Sequence, residues 1–209
     1  VSILDRLSSS LGKRDTAANK AVAKDCVAKP KLLNEVAVGF DAKLAPLRGD
    51  CAEVFAEASV LNPETTAPHI ELMLDQLDDR NNRVRWEILM GISAVASIKP
   101  AKVFAQRELL LKLAQTGSVI VKDGAVLSLS RVAGANGRYR QKLLPELLEL
   151  FTDCRPKDIP RYGEYLSEAV TDNGESATAL AKTLEQRIDE CTNKTALGRV
   201  NKLLKKLGN

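Results

Sequence analysis

PHIELMLDQLDDRNNRVRWEILMGISAVA, running from Pro68 to Ala96, decides how the rest of the chain is read. Its first part sets Ile70, Met73, Leu74 and Leu77 at i, i+3, i+4 and i+7, the spacing that lines one face of an α-helix. The run Asp78-Asp79-Arg80-Asn81-Asn82 interrupts that pattern with turn-forming residues. Beyond it, Val84, Ile88, Ile92 and Val95 make a second helical stripe. The stretch is a helical hairpin, and one hairpin cannot cover its own apolar stripe without neighbours on either side.

Those neighbours are written in the chain. Leu47-Arg48, Val84-Arg85 and Val121-Lys122 recur 37 residues apart and open the apolar stretches LRGDCAEVFAEASVL, VRWEILMGISAVASI and VKDGAVLSLSRVAGA. Pro63 and Pro100 follow the first two stretches at the same spacing. Between them, AKVFAQRELLLKLAQ aligns Val103, Leu110, Leu113 and Ala114. KLLPELLELF aligns Leu143, Leu147 and Leu150, with Pro145 expected in its first turn. Gly134 to Gly137 reads as a turn, and Pro156 and Pro160 as brackets of a longer loop. Ala56, Gly91, Ala94, Ala96 and Ala125 are small enough to let helices approach closely. In the last helix Leu197, Val200, Leu204 and Leu207 share one side and Arg199, Lys202, Lys205 and Lys206 the other, as suits a solvated cap. The chain is therefore expected to be all-α, one domain of about six stacked helix pairs over 1–29, 30–62, 63–99, 100–135, 136–172 and 173–209.

Composition agrees with helices and narrows the chemistry. The chain is 44% hydrophobic but only 4% aromatic, a balance that favours helix over sheet. Cys26, Cys51, Cys154 and Cys191 lie far apart with no CxxC pair, and His69 is the sole histidine, so the usual zinc ligand sets are missing. No metal and no cofactor is expected, and the cysteines read as small apolar fillers in a reducing compartment. The opening residues VSILDRLSSSLGKRD are amphipathic and charged, unlike a secretory signal, and the uncharged run Ile88 to Ile98 is too short for a bilayer. A soluble, cytoplasmic chain without a membrane partner is expected.

These hairpins resemble HEAT/armadillo-type repeats. In Pro68 to Ala96 the resemblance rests on an early Pro in the first helix, an Asp before the turn and Val-Arg opening the second helix. KLLPELLELF resembles a first helix of the same kind. The resemblance implies a right-handed α-α superhelix, or solenoid, whose second helices line a concave face. It also implies a polar ladder between repeats, carried here by Asp41 with Arg48 and by Asp78 or Asp79 with Arg85. Lys122 takes the third basic position, where Gln115 or Thr116 replaces the acid. On the concave side the stripes would be Trp86, Met90, Ser93 and Ser97, then Gly49, Glu53, Ala56 and Val60, then Asp123, Leu127, Ser130 and Gly134, with Tyr162 and Tyr165 nearby.

The function expected of such a surface is to hold a protein or peptide, with no catalysis. Trp86 would be the leading anchor, because large aromatics dominate interface energetics. Glu53, Met90, Ser93, Asp123, Tyr162 and Tyr165 complete the candidate partner-binding set. The alternative is nucleic-acid binding. The net charge of +4, from 31 basic and 27 acidic side chains, permits it without demanding it. Its candidates are Lys20 and Lys24 near the N-terminus and Arg131, Arg138 and Arg140 around the Asn-Gly turn. DNA-alkylation-repair glycosylases are also built from HEAT-like repeats, which makes an enzyme the third reading. His69 has no evident catalytic companion, and Asp172-Asn173-Gly174-Glu175 is too short and unpatterned for a calcium loop.

Overall fold

The structure is a computed structural model that describes residues 2–170 and 174–208. The described residues are all-helical, with no strand among them. They form two compact units, Val1–Gln106 and Arg107–Asn209. Thr171, Asp172, Asn173 and the boundary expected between 172 and 173 lie outside the described residues.

The first unit contains α1 (Ala17–Ala28), α2 (Leu32–Ala37), α3 (Ala45–Leu61), α4 (Pro63–Thr66), α5 (Ile70–Asp75), α6 (Asn82–Val95) and α7 (Pro100–Ala105). Helix α3 lies at its centre, packed against α1 and α6. Pro46 sits in the first turn of α3, where a missing N–H leaves no bond unmade. Asn62 ends α3 and caps α4, its side chain accepting from the Glu64 N–H at 3.2 Å. Asn81 starts α6 in the same way, accepting from the Arg83 N–H at 2.9 Å. Phe55, Val84, Ile88, Leu89 and Ile92 are fully buried. The 70–77 stripe is buried as its spacing predicts, but the backbone there is two short pieces: Ile70–Asp75 is α-helix and Gln76–Asp78 a 3-10 turn.

The second unit contains α8 (Arg107–Thr116), α9 (Val119–Ala135), α10 (Gly137–Thr152), α11 (Ile159–Ser167), α12 (Glu175–Arg187) and α13 (Lys194–Leu207). Helix α9 packs on α8, α10 and α11, and α13 packs on α11 and α12. The turn expected over Gly134 to Gly137 shrinks to Asn136 alone, whose side chain caps α10 by accepting from the Tyr139 N–H at 3.1 Å. Pro145 consequently falls inside α10, not in its first turn. It is tolerated on an exposed face, where water can satisfy the carbonyl it leaves free. Nor do Pro156 and Pro160 bracket a loop, since a 3-10 turn runs Pro156–Asp158 and Pro160 starts α11.

Gly134 marks the tightest approach in this unit. A Cβ there would lie 2.1 Å from the carbonyl oxygen of Glu168, just past the end of α11. Backbone cannot yield as a side-chain tip can, so only glycine lets α9 and the end of α11 meet here.

In the first unit α3 carries two acids into its interface. Asp50 and Glu53 are 2% and 4% exposed. The amide nitrogen of Asn19 on α1, itself fully buried, donates to Asp50 at 3.0 Å and to Glu53 at 2.7 Å. The Asn19 side-chain oxygen accepts from the Ser8 N–H at 2.9 Å. From α6, Arg83 donates to the same two carboxylates at 2.9 and 2.7 Å, and the Ser9 N–H donates to Asp50 at 2.7 Å. Burial opposes the charge on Asp50, but the hydrogen bonds from Ser9, Asn19 and Arg83 outweigh it and hold the carboxyl below its ordinary range. The second unit is joined by more exposed pairs: Arg131 to Glu168 at 2.7 Å, Arg161 to Asp123 at 3.1 Å and Arg199 to Glu164 at 2.6 Å.

Two stability measurements follow from this packing. Arg83→Ala leaves two buried carboxylates without a cation and is expected to cost about 3 kcal/mol in urea unfolding. Arg131→Ala, at a solvent-exposed pair, is expected to cost less than about 1 kcal/mol. The folded value of Asp50 lies below its unfolded one, so its contribution is present at neutral pH and fades as pH falls through the folded value. The gap between wild type and Arg83→Ala should therefore narrow as pH falls through the folded value of Asp50. Separately, Gly134→Ala should destabilise by about 1–3 kcal/mol, and a neutral result would show that the α9–α11 approach is looser than described.

Candidate functional site

The outward face of α6 carries Arg83, Glu87, Met90 and Ala94 at i, i+4, i+7 and i+11, all at least partly exposed. Met90 is 49% exposed, and Trp86 is half-buried beside it. Helix α3 adds Glu57, Val60 and Leu61, the last two 59% and 51% exposed. This face is rotated from the stripes expected above. Ser93 is buried and donates to the Met90 carbonyl at 2.7 Å. Gly49, Glu53 and Ala56 are buried because α3 is covered by α1 on one side and α6 on the other. Glu53 thus does not stand on the surface as anticipated: its carboxylate is held by Asn19 and Arg83.

Glu87 has an unusual environment for a surface acid. Burial pushes its carboxyl above the ordinary range, a hydrogen bond from Trp86 pulls it back, and the negative charge of Glu53 pushes it up again. Trp86, next to it on α6, is itself half-buried.

In the second unit Asp123 lies half-buried on α9 and pairs with Arg161 of α11. Arg161 also donates to Asp158 at 2.7 Å, and Arg155 donates to Asp158 at 2.6 Å. Burial drives the Asp123 carboxyl upward, with Arg161 opposing the shift. Tyr162 and Tyr165 stack with ring centroids 6.2 Å apart. Tyr165 is half-buried, but Tyr162 is only 6% exposed, a core residue and not the surface contact expected of it. Ser130 is likewise buried, and Leu127 is half-buried.

The basic candidates are divided between the two units. Lys20 lies 3.5 Å from Glu57, and Lys24 is exposed on the same helix, α1. Arg131 is engaged by Glu168, while Arg138 and the half-buried Arg140 stand in the first turn of α10. The ladder is also assembled differently from the pairing implied above. Arg48 joins Asp79 through two hydrogen bonds of 2.7 and 3.1 Å and donates to the Ala42 carbonyl at 2.9 Å. Asp41 and Asp78 stay exposed, and Arg85 bonds Asn82 at 3.3 Å. The reason is local geometry: the Asp79 carboxylate already accepts from the Asn81 N–H at 2.7 Å, which orients it toward Arg48. Lys122 is half-buried and borders a cleft.

That cleft, about 590 Å³ in volume, was not anticipated from the sequence. The turn between α8 and α9 forms one wall, with Ser118, Val119 and Lys122. The C-terminal half of α10 forms the other, with Glu146, Glu149 and Asp153 at i, i+3 and i+7. Cys154, Asp158 and Tyr162 close its inner end. The spacing of the three acids is legible in ELLELFTD, but only the leucines of that stretch were read as a face. Among the described residues, no group of three or more His, Cys, Asp or Glu side chains is placed to hold a metal ion. Among the same residues, no helix is long and apolar enough to cross a membrane.

No protein-family profile and no curated protein sequence matches the chain. Among solved structures it is similar to an engineered protein whose crystal structure was determined by the Northeast Structural Genomics Consortium. The identity is 14%, the TM-score 0.64, and the match covers 98% of this chain and 96% of that one. The likeness shows an all-helical fold shared between the two.

The environment of Glu87 makes a measurable statement about pH. Its folded value lies above its unfolded one, so the proton stabilises the fold below the unfolded value, and that stabilisation is lost as pH rises through the folded value. Glu87→Gln is expected to raise unfolding free energy at about pH 7 and to bring no gain at about pH 4. Equal effects at both pH values would contradict the burial assigned to this carboxyl.

Proposed function

We propose that the chain is a non-enzymatic, protein-binding scaffold of HEAT/armadillo type, whose helix pairs, about six in all, belong to the class that winds as an α-α superhelix. The ion pairs between successive second helices support the repeat reading. Arg83 reaches back 33 residues to Asp50, Arg131 forward 37 to Glu168, and Arg199 back 35 to Glu164, close to the 37-residue spacing in the sequence.

One observation carries the functional reading. On the second-helix faces four guanidinium groups are held by carboxylates of the same chain, while in the first unit apolar side chains are left in solvent. Arg83, Arg131, Arg161 and Arg199 are all paired. Val60, Leu61 and Met90 are about half exposed, with Trp86 next to them. A surface for nucleic acid needs cations available to replace counterions at phosphates. A near-neutral face with apolar points and one tryptophan suits a protein or peptide.

The double variant Val60→Asp, Met90→Asp tests this, since both side chains are exposed and the fold should survive. Affinity capture on the immobilised full chain should lose its specific proteins with the variant. An unchanged set of captured proteins would reject the reading. Fluorescence anisotropy with mixed-sequence duplex DNA and single-stranded RNA should give no saturable binding even at low salt. Saturable binding that weakens steeply as salt rises would favour the nucleic-acid reading instead.

A further inference from the structure

The cleft of the second unit is a separate feature from the second-helix faces. Its inner end is electrostatically closed. Asp158 is 6% exposed and is answered by both Arg155 and Arg161. Its outer wall is not. Glu146, Glu149 and Asp153 are exposed, and none of them joins an ion pair among the described residues. They follow one another along α10 over about 10 Å, at 1.5 Å of rise per residue. The cations on the lining are Lys122, which is half-buried, and Arg155, which is exposed and paired with Asp158.

The cleft also has apolar content exposed to solvent. Val119 is 43% exposed on its lining, and Ile120 beside it is 45% exposed. Leu150 of α10 and Cys154 are half-buried on the same lining. Burial pushes the Cys154 thiol upward, although Arg187, which donates to its sulfur at 3.2 Å, opposes the shift. Exposed apolar side chains beside a row of unanswered carboxylates, in a chain whose net charge is +4, make a local surface of opposite sign to the whole. Phosphates are repelled by it. Among the described residues the three carboxylates are not among any group placed to hold a metal ion.

We propose that this cleft is a docking site for a cationic amphipathic helix of a partner protein. Lysine or arginine side chains one turn apart on the incoming helix would meet Glu146, Glu149 and Asp153. An apolar residue between them would enter the space beside Val119 and Leu150. Two helices lying side by side present their charges at the same three-to-four-residue spacing, so the row on α10 is matched by a helix better than by an extended strand, whose same-face residues repeat every second position.

The probe is a fluorescein-labelled, alanine-based helical peptide of about 18 residues with lysines at i, i+4 and i+7 flanking two leucines. A control peptide of identical composition distributes the lysines around the helix. Anisotropy titrations use the full chain. The patterned peptide should bind saturably, and the control about tenfold more weakly. The triple variant Glu146→Lys, Glu149→Lys, Asp153→Lys should weaken the patterned peptide at least about tenfold, with circular dichroism unchanged because all three positions are exposed. A peptide carrying glutamates in place of those lysines should recover binding to the triple variant and to no other form. Val119→Ser should weaken binding without altering its salt dependence. No binding of the patterned peptide to the wild-type chain, equal binding of the two peptides, or equal binding to wild type and triple variant would each overturn the proposal. The Val60→Asp, Met90→Asp chain should bind this peptide as wild type does, so the two sites fail independently.

Discussion

The first unit is organised around a cost that α3 incurs by being central. Helices on both sides cover it, and its sequence nevertheless places Asp50 and Glu53 in those interfaces. Two carboxylates taken out of water repel each other and lose hydration, so they persist there only with donors aimed at them from both neighbours. Asn19 of α1 and Arg83 of α6 are those donors, and Ser8 and Ser9 tie the segment ahead of α1 to the same cluster. Apolar contact alone would let the three helices slide along one another. The shared carboxylates admit one axial register, because moving either donor by a turn strands a buried charge.

The second unit uses the same device with more solvent in it. Asp123, Glu164 and Glu168 each face an arginine from a helix packed alongside, but the participating side chains are partly exposed. Close backbone approach takes on more of the alignment there. At Gly134 the neighbouring carbonyl stands where a side chain would otherwise begin. At Gly163 a Cβ would meet leucines of α12 and α13 at 2.9 and 3.0 Å. Internal pairing of this kind has a consequence for binding. Cations held by the chain's own carboxylates are not available to a polyanion, whatever the net charge suggests. In the first unit Val60, Leu61 and Met90 remain exposed, and in the cleft Glu146, Glu149 and Asp153 are without an ion pair among the described residues.

Much of this was legible beforehand, and the misses share a cause. The periodic stripes 70–77 and 84–95 point inward as the spacing requires, since period reports which side of a helix is apolar. Spacing does not report how many neighbours a helix will have. A polar residue on an isolated hairpin belongs in water, but Glu53 sits on α3, which α1 and α6 both cover, and Ser93 is buried as well. Tyr162 failed for the same reason. The ladder pairing went astray by a residue or a turn because Asp79 is oriented by the Asn81 N–H, a loop detail that no repeat pattern encodes. In ELLELFTD the leucine stripe drew attention away from the acidic one alongside it.

The amino-acid order by itself determined that the chain is helical and which sides of the 70–77 and 84–95 segments are interior. Those properties are local, set by side-chain periodicity, by capping side chains such as Asn62, Asn81 and Asn136, and by prolines in first turns. Tertiary packing alone decided which charges meet. Arg83 with Asp50, Arg48 with Asp79 and Arg161 with Asp123 are more than thirty positions apart, and their encounter depends on helix order, crossing and axial offset. The cleft is of the same kind: its two walls are distant in sequence, and the space between them exists only once α10 has docked beside the turn from α8 to α9.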